Sequence, residues 1–364
     1  MKVRCLGLVL AAVSLGGLAG CGSSKTNTVS STDTMYVAAR GAAGVWGYHA
    51  NFKDGSLTLI NGSPFPAQAG TTAIVIDPSH SFAYVSNTGS ATVDSYSFDL
   101  NGSMIKIGTT NVGNNPVALA MDAAGKFLFV ANQNSNSVSG FAVGANASLT
   151  AVPNSPFSVP SPVALAVTPS GKLLYVADQA GSRVWTFEVQ ADGSLAGNPL
   201  LPPVGSGSAP SALAMNAAGT FLYVANRDSE NVSAFTIASG APQVAGELTA
   251  ITGSPFAAGL GPVSAAVDPS GQFLYVADRD SNEVSGYRIK AGAGSLTNLT
   301  NSPYSAGAAP DFVAISPTNK FLYASNSASA SLSAYKIDPT TGNLIPASGA
   351  VPTGSQPAWI AFGR

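Results

Sequence analysis

The 364-residue chain is poor in charge. Lys, Arg, Asp and Glu make up 9% of it, with 16 basic and 18 acidic residues and a formal net charge of −2. It holds no basic run, so the electrostatic footprint of a nucleic-acid-binding protein is missing. Only two His and two Cys occur, so a framework of several disulfides is not expected. No Gly-x-Ser-x-Gly, Gly-x-Gly-x-x-Gly or His-Glu-x-x-His run appears. A serine-hydrolase elbow, a dinucleotide loop and a zincin helix are therefore not expected, and neither a metal nor a cofactor is implied. What is abundant is turn-forming and small residues: 39 Gly and 24 Pro, with 45% hydrophobic residues. That mixture excludes a disordered chain and suits many short strands joined by tight turns.

The N-terminus reads as a targeting segment. Lys2 and Arg4 precede an apolar stretch over 5–18, too short and Gly-rich to span a membrane. Leu18-Ala19-Gly20-Cys21 follows and resembles the bacterial lipobox, in which the Cys carries a lipid. Residues 1–20 are thus expected to be a lipoprotein signal peptide. Residues 21–33, opening on lipidated Cys21, are expected to be a Ser/Thr-rich flexible tether. On this reading the protein is exported and held in the cell envelope, and Cys21 joins it to the membrane.

The rest of the chain repeats itself. Phe127-Leu128-Phe129-Val130-Ala131-Asn132 recurs as Leu173-Leu174-Tyr175-Val176-Ala177-Asp178, Phe221-Leu222-Tyr223-Val224-Ala225-Asn226 and Phe273-Leu274-Tyr275-Val276-Ala277-Asp278. Weaker copies end at Asn87 and Asn326, and a degenerate one is Met35-Tyr36-Val37-Ala38-Ala39. The central aromatics are Tyr36, Tyr84, Phe129, Tyr175, Tyr223, Tyr275 and Tyr323. Their spacing suits a four-stranded blade, so 34–364 is expected to be an all-β, seven-bladed propeller. The first copy lacks an innermost strand, and Pro357-Ala358-Trp359-Ile360-Ala361-Phe362 is an innermost strand without a blade. The C-terminal strand should therefore complete the N-terminal blade, leaving no open inner edge.

The aromatic-Val-Ala-Asn signature resembles the YVTN-repeat, lactonase-like family of seven-bladed propellers, which includes one type of 6-phosphogluconolactonase. Ser-Pro-Phe segments at Ser63, Ser155 and Ser254, and Ser302-Pro303-Tyr304, look like those of exported bacterial members. As an activity, the resemblance implies a lactone hydrolase or cycloisomerase.

The upper face of a propeller is formed by loops after each second strand and by the starts of the innermost strands. Charge there is uneven. The first three blades offer only Arg40, placed across the ring from the rest. The fourth offers Asp178 and Arg183, the fifth Arg227, Asp228 and Glu230, the sixth Asp278, Arg279, Asp280 and Glu283, and the seventh Asp311. Arg227 and Arg279 hold equivalent positions and could converge on an anionic group, with nearby acids as hydrogen-bond partners or general base. The same charges also fit local ion pairing on a solvated rim, the commoner role of exposed charge. His49 and His80 belong to the opposite face. Phe312 and Trp359 replace small residues in innermost strands and are expected to adjust packing rather than to plug the channel. The first functional expectation is a monomeric, lipid-anchored binding or interaction module for a small anionic ligand, glycan or protein. The alternative is a lactonase-like enzyme.

Overall fold

The structure, a computed structural model, describes residues 33–363 apart from 52, 197–200, 242 and 348. The expected signal peptide and all but the last residue of the tether, Cys21 included, lie outside the described residues. Seven antiparallel sheets of four main strands follow one another along the chain. Blade 3 runs outward as Pro116–Met121, Phe127–Asn132, Ser137–Val143 and Leu149–Ala151. Blade 1 is closed by the chain's end. Its inner strand Pro357–Phe362 pairs with Asp33–Ala39, placing Tyr36 opposite Ala361 and Val37 opposite Ile360.

Physical chemistry explains why the repeat has the residues it has. In blades 2 to 7 the turn after the innermost strand is held by one polar side chain. In blade 3 that is Asp122, whose Oδ1 accepts the backbone N–H groups of Lys126 and Phe127 at 2.7 and 2.6 Å. The Ser of each Ser-Pro segment accepts a third-strand N–H where the outer strand breaks: Gly47 to Ser63, Gly140 to Ser155, Ala234 to Ser254 and Gly286 to Ser302, all at 2.9–3.0 Å. These hydroxyls satisfy donors that would otherwise be stranded at a broken ladder.

The central tyrosines join the blades. Tyr36, Tyr175, Tyr223, Tyr275 and Tyr323 each donate their hydroxyl to a glycine carbonyl of the next blade: Gly102, Gly246, Gly294, Gly342 and Gly55. Those glycines all have positive φ, which a side chain would disfavour in so tight a turn. Third-strand tyrosines reach the other way, Tyr48 to Pro352, Tyr96 to Pro66, Tyr287 to Ala257 and Tyr335 to Ser305. Tyr323 and Tyr48 thereby latch blades 7 and 1 together from both sides. Burial pushes the hydroxyls of Tyr36 and Tyr48 up to about 12, so they remain donors across the physiological range.

An Asn or Asp that closes a strand commonly bonds its own turn backbone. Asp178 does so, accepting from Gly181 N–H at 2.8 Å, but most of the residues that close the second strands bond the third strand. Asn226 Nδ2 donates to Asn231 Oδ1 at 2.8 Å and Ser233 Oγ at 2.9 Å. Asn132 and Asn326 make the same kind of bond to Ser139 and Ser333. A side chain buried among neighbouring strands finds its partners there, away from the solvated turn.

Candidate functional site

One residue directly follows the second strand of each blade. Around the ring, blades 1 to 7 place there Arg40, Thr88, Gln133, Gln179, Arg227, Arg279 and Ser327. Five of them, Arg40, Gln133, Gln179, Arg227 and Arg279, line one cavity of about 380 Å³. The tier below comes from the second residue of the innermost strands, and Val117, Val163, Ser211, Val263, Asp311 and Ala358 line the cavity from it. Asp311 is the one carboxylate on its wall among the described residues.

Two guanidiniums hold that carboxylate. Arg40 Nη1 lies 2.8 Å from Asp311 Oδ2, and Arg279 Nε lies 3.3 Å from Oδ1. The Asp311 side chain is only 4% exposed, whereas both arginines keep more than a third of their surface open. Arg227 makes no ion pair among the described residues. The cavity therefore presents three cationic groups to one anionic group, a net positive mouth over a poorly solvated interior. An entering anion would be attracted more strongly there than at an open surface.

The floor is aromatic. Phe312 and Trp359 stack with ring centroids 4.5 Å apart and planes 29° from parallel. Trp359 packs against the core between blades 1 and 2, between blades 2 and 3, and between blades 3 and 4. One side chain can meet all three only by lying across the channel. The two rings therefore do more than adjust packing within one blade: they stack at the cavity's floor and line it.

The other charged candidates lie elsewhere. Asp178 is fully buried, and its Oδ2 accepts from Arg183 Nε at 2.9 Å and Trp185 Nε1 at 3.2 Å. The Arg183 guanidinium also sits over the Trp185 ring, 4.9 Å from its centroid. That group is a local cluster and does not line the cavity. Asp278 is buried too, directly across the strand pair from Glu283. Burial pushes its carboxyl up to about 7, and the Glu283 charge adds to the effect. Asp228, Glu230 and Asp280 are exposed, and none makes an ion pair among the described residues. Arg227 and Arg279 are therefore not tied to Asp228 and Asp280. His49 and His80 do not line the cavity. Among the described residues no three His, Cys, Asp or Glu side chains converge as a metal site.

Arg40 requires a second correction. Ring closure makes blade 1 the neighbour of blade 7, so Arg40 shares Asp311 with Arg279 instead of standing across the ring. Gln133 and Gln179 were not singled out from sequence. The usable signal was position: both follow the repeat directly, as Arg227 and Arg279 do.

Comparison with known proteins agrees with this architecture. The family model described as lactonase, 7-bladed beta-propeller, matches residues 49–167, 148–254 and 247–362. No curated protein sequence matches the chain. Among solved structures, a candidate 6-phosphogluconolactonase from Bacteroides uniformis superposes with a TM-score of 0.80 at 20% identity, covering 91% of this chain and 99% of the other. The periplasmic gluconolactonase of Pseudomonas aeruginosa gives 0.79 at 22% identity, with the same coverage of 91% and 99%. A candidate 6-phosphogluconolactonase from Bacteroides fragilis gives 0.78 at 22% identity, covering 93% and 99%. Identities this low carry the fold alone, but the family model spans most of the chain. The protein belongs to the seven-bladed lactonase β-propeller family.

Proposed function

We propose that the protein is a lactone hydrolase whose reaction takes place in the upper cavity. The observation that carries this reading is one cavity lined by Arg40, Arg227, Arg279 and Asp311, two of the guanidiniums being paired with that carboxylate over an aromatic floor. Lactone hydrolysis needs a group that takes a proton from water and groups that stabilise the oxyanion formed on the carbonyl. Asp311 supplies the first and the guanidiniums the second. Water adds to the carbonyl carbon and gives its proton to Asp311. The ring C–O bond then breaks, and the departing alkoxide takes that proton back. The product is a hydroxy acid, whose carboxylate suits the guanidinium fork. Membership of the family supports the reading, as does the gluconolactonase activity in the name of the Pseudomonas neighbour. The other reading, a binding module without chemistry, explains the cavity and leaves Asp311 only the task of holding Arg40 and Arg279.

A pH-stat assay with a panel of five- and six-membered sugar and aliphatic lactones tests it. Turnover is expected for at least one lactone. Arg227→Ala, Arg279→Ala and Arg40→Ala should each lower kcat/KM about ten- to a hundredfold, the cost of removing a charge-assisted contact. Lys at any of the three should restore only part, because it keeps the charge and loses the planar fork. Arg227→Ala should leave the melting temperature unchanged, since that side chain is in no ion pair. A protein that binds hydroxy acids but turns over no lactone would return the binding-module reading.

We infer also that the chain is exported and lipid-anchored through Cys21. Lys2, Arg4, the apolar stretch and Leu18-Ala19-Gly20-Cys21 support this, and the Pseudomonas neighbour is named as periplasmic. An envelope enzyme would meet unphosphorylated lactones in preference to cytosolic sugar phosphates. Cys21→Ser is expected to leave an uncleaved precursor that incorporates no labelled fatty acid. Normal labelling of that variant would rule the anchor out.

A further inference from the structure

Opposite the arginines, the cavity wall is made of amides. Gln133 and Gln179 stand at the same ring position in blades 3 and 4. Blade 4 is three blades from blade 7 and three from blade 1, so Gln179 faces the Arg40–Asp311 pair across the channel. The two amides are linked, and the link has a direction. Asn115 Nδ2 donates to Gln133 Oε1 at 2.9 Å, and Gln133 Nε2 donates to Gln179 Oε1 at 2.9 Å. Backbone bonds fix both glutamines at their bases: Gln133 N–H to the Asn115 carbonyl at 3.0 Å, and Gln179 N–H to the Ser161 carbonyl at 3.1 Å.

This relay sets the polarity of its last member. With its oxygen turned to the Gln133 donor, the Gln179 amide has its nitrogen as the free end. Gln179 Nε2 has no acceptor among the described residues, and Gln179 lines the cavity. The cavity thus has two chemically different ends. One end is cationic, and the other offers two neutral N–H donors that seek an oxygen.

We propose that Gln179, oriented by Asn115 and Gln133, is a specificity-determining residue: it donates to an uncharged oxygen of the ligand while the guanidiniums hold its anionic group. The ligand class is a hydroxylated carboxylic acid or its lactone, long enough to reach from one wall to the other. A plain fatty acid of the same length would satisfy the arginines and leave the Gln179 donors without a partner, and sites built on such donors discriminate against ligands that lack the oxygen. The inference uses the cavity assigned above to lactone hydrolysis, but it concerns binding, so it can be tested without turnover.

The probes are gluconate and hexanoate, which share a six-carbon chain and a carboxylate and differ in hydroxyl groups. Calorimetric titration of the purified full chain is expected to show gluconate binding about tenfold or more tightly than hexanoate. Gln179→Leu should erase that preference by weakening gluconate about tenfold while leaving hexanoate unchanged or tighter. Gln133→Leu, which removes the orienting partner and leaves Gln179 in place, should act in the same direction with a smaller loss. Gln179→Glu, an acceptor where a donor is required, should weaken gluconate at least as much as Leu. Equal wild-type affinities for the two probes, no gluconate binding, or a Gln179→Leu variant that keeps the preference would each overturn the proposal. Binding as expected without hydrolysis of any lactone would uphold it and count against the reaction instead.

Discussion

Removing residues 357–364 is expected to destroy the fold, although they are a short tail. Among the described residues, the inner strand Pro357–Phe362 is the only partner of the inner edge of Asp33–Ala39, with Met35 opposite Phe362 and Ala39 opposite Pro357. Deletion would open a strand edge on the channel side of blade 1, a template for pairing with other chains. It would also take away Ile360, which is 3% exposed, together with half of the Phe312–Trp359 floor. Burying Ile360 fully and Trp359 and Phe362 in part contributes about 3–6 kcal/mol, taking the usual value for a fully buried apolar side chain and about half of it for the other two. A whole domain is stable by only about 5–15 kcal/mol. The truncated protein should therefore aggregate, or melt at a much lower temperature by circular dichroism. Deleting residues 23–30 should leave melting unchanged. Equal melting of the two deletions would contradict closure by the C-terminal strand.

The ring and its closure were readable because each blade must bury the same things at the same place. A large aromatic, flanked by Val and Ala, recurs where two sheets face each other, and it survives even in the degenerate Met35-Tyr36-Val37-Ala38-Ala39 copy. The site was less readable for two reasons. The first copy has Ala39 where others have Asn or Asp, so Arg40 did not register as the equivalent of Arg227 and Arg279. Its contact with Asp311 crosses 271 residues of sequence, and only ring closure supplies it. The second reason is that charge type does not reveal direction. Asp178 and Asp278 look like site acids, yet each precedes the residue that turns to the cavity and is itself fully buried. A carboxylate that closes a strand and one that lines a site have the same letter in a sequence. They differ in which neighbours they find.

Asp278 has found the wrong neighbour for a charged group, and this gives the second large expected effect. At the same place, blades 2, 3, 5 and 7 carry Asn87, Asn132, Asn226 and Asn326. Blade 4 carries Asp178, opposite Arg183 in the strand register, and a guanidinium balances the acid. Blade 6 puts Asp278 opposite Glu283. Ser285 N–H donates to Asp278 Oδ2 at 3.1 Å, but Oδ1 is buried and has no partner. Burial, and then the Glu283 charge, push this carboxyl from 3.8 up to about 7. The folded protein therefore binds a proton that the unfolded chain has already lost at neutral pH. Such a group contributes its full stability below about pH 4, and that contribution falls as pH rises through 7. Each tenfold difference in proton affinity between the folded and unfolded chain is worth about 1.4 kcal/mol. Relaxation of the site brings the expected loss to about 2–4 kcal/mol. Asp278→Asn removes the ionisation and supplies an amide donor that Glu283 and Ser285 can accept, as Asn226 does with Asn231 and Ser233. Urea unfolding at pH 4, 6 and 8 should show the variant matching the parent at pH 4 and exceeding it by about 2–4 kcal/mol at pH 8. Asp178→Asn is the opposing control. It strips Arg183 and Trp185 of a charged acceptor and should cost about 1–3 kcal/mol at pH 7. A parent protein whose stability is flat between pH 4 and 8, or an Asp278→Asn variant that declines alongside it, would mean that Asp278 is ionised and accommodated where it stands.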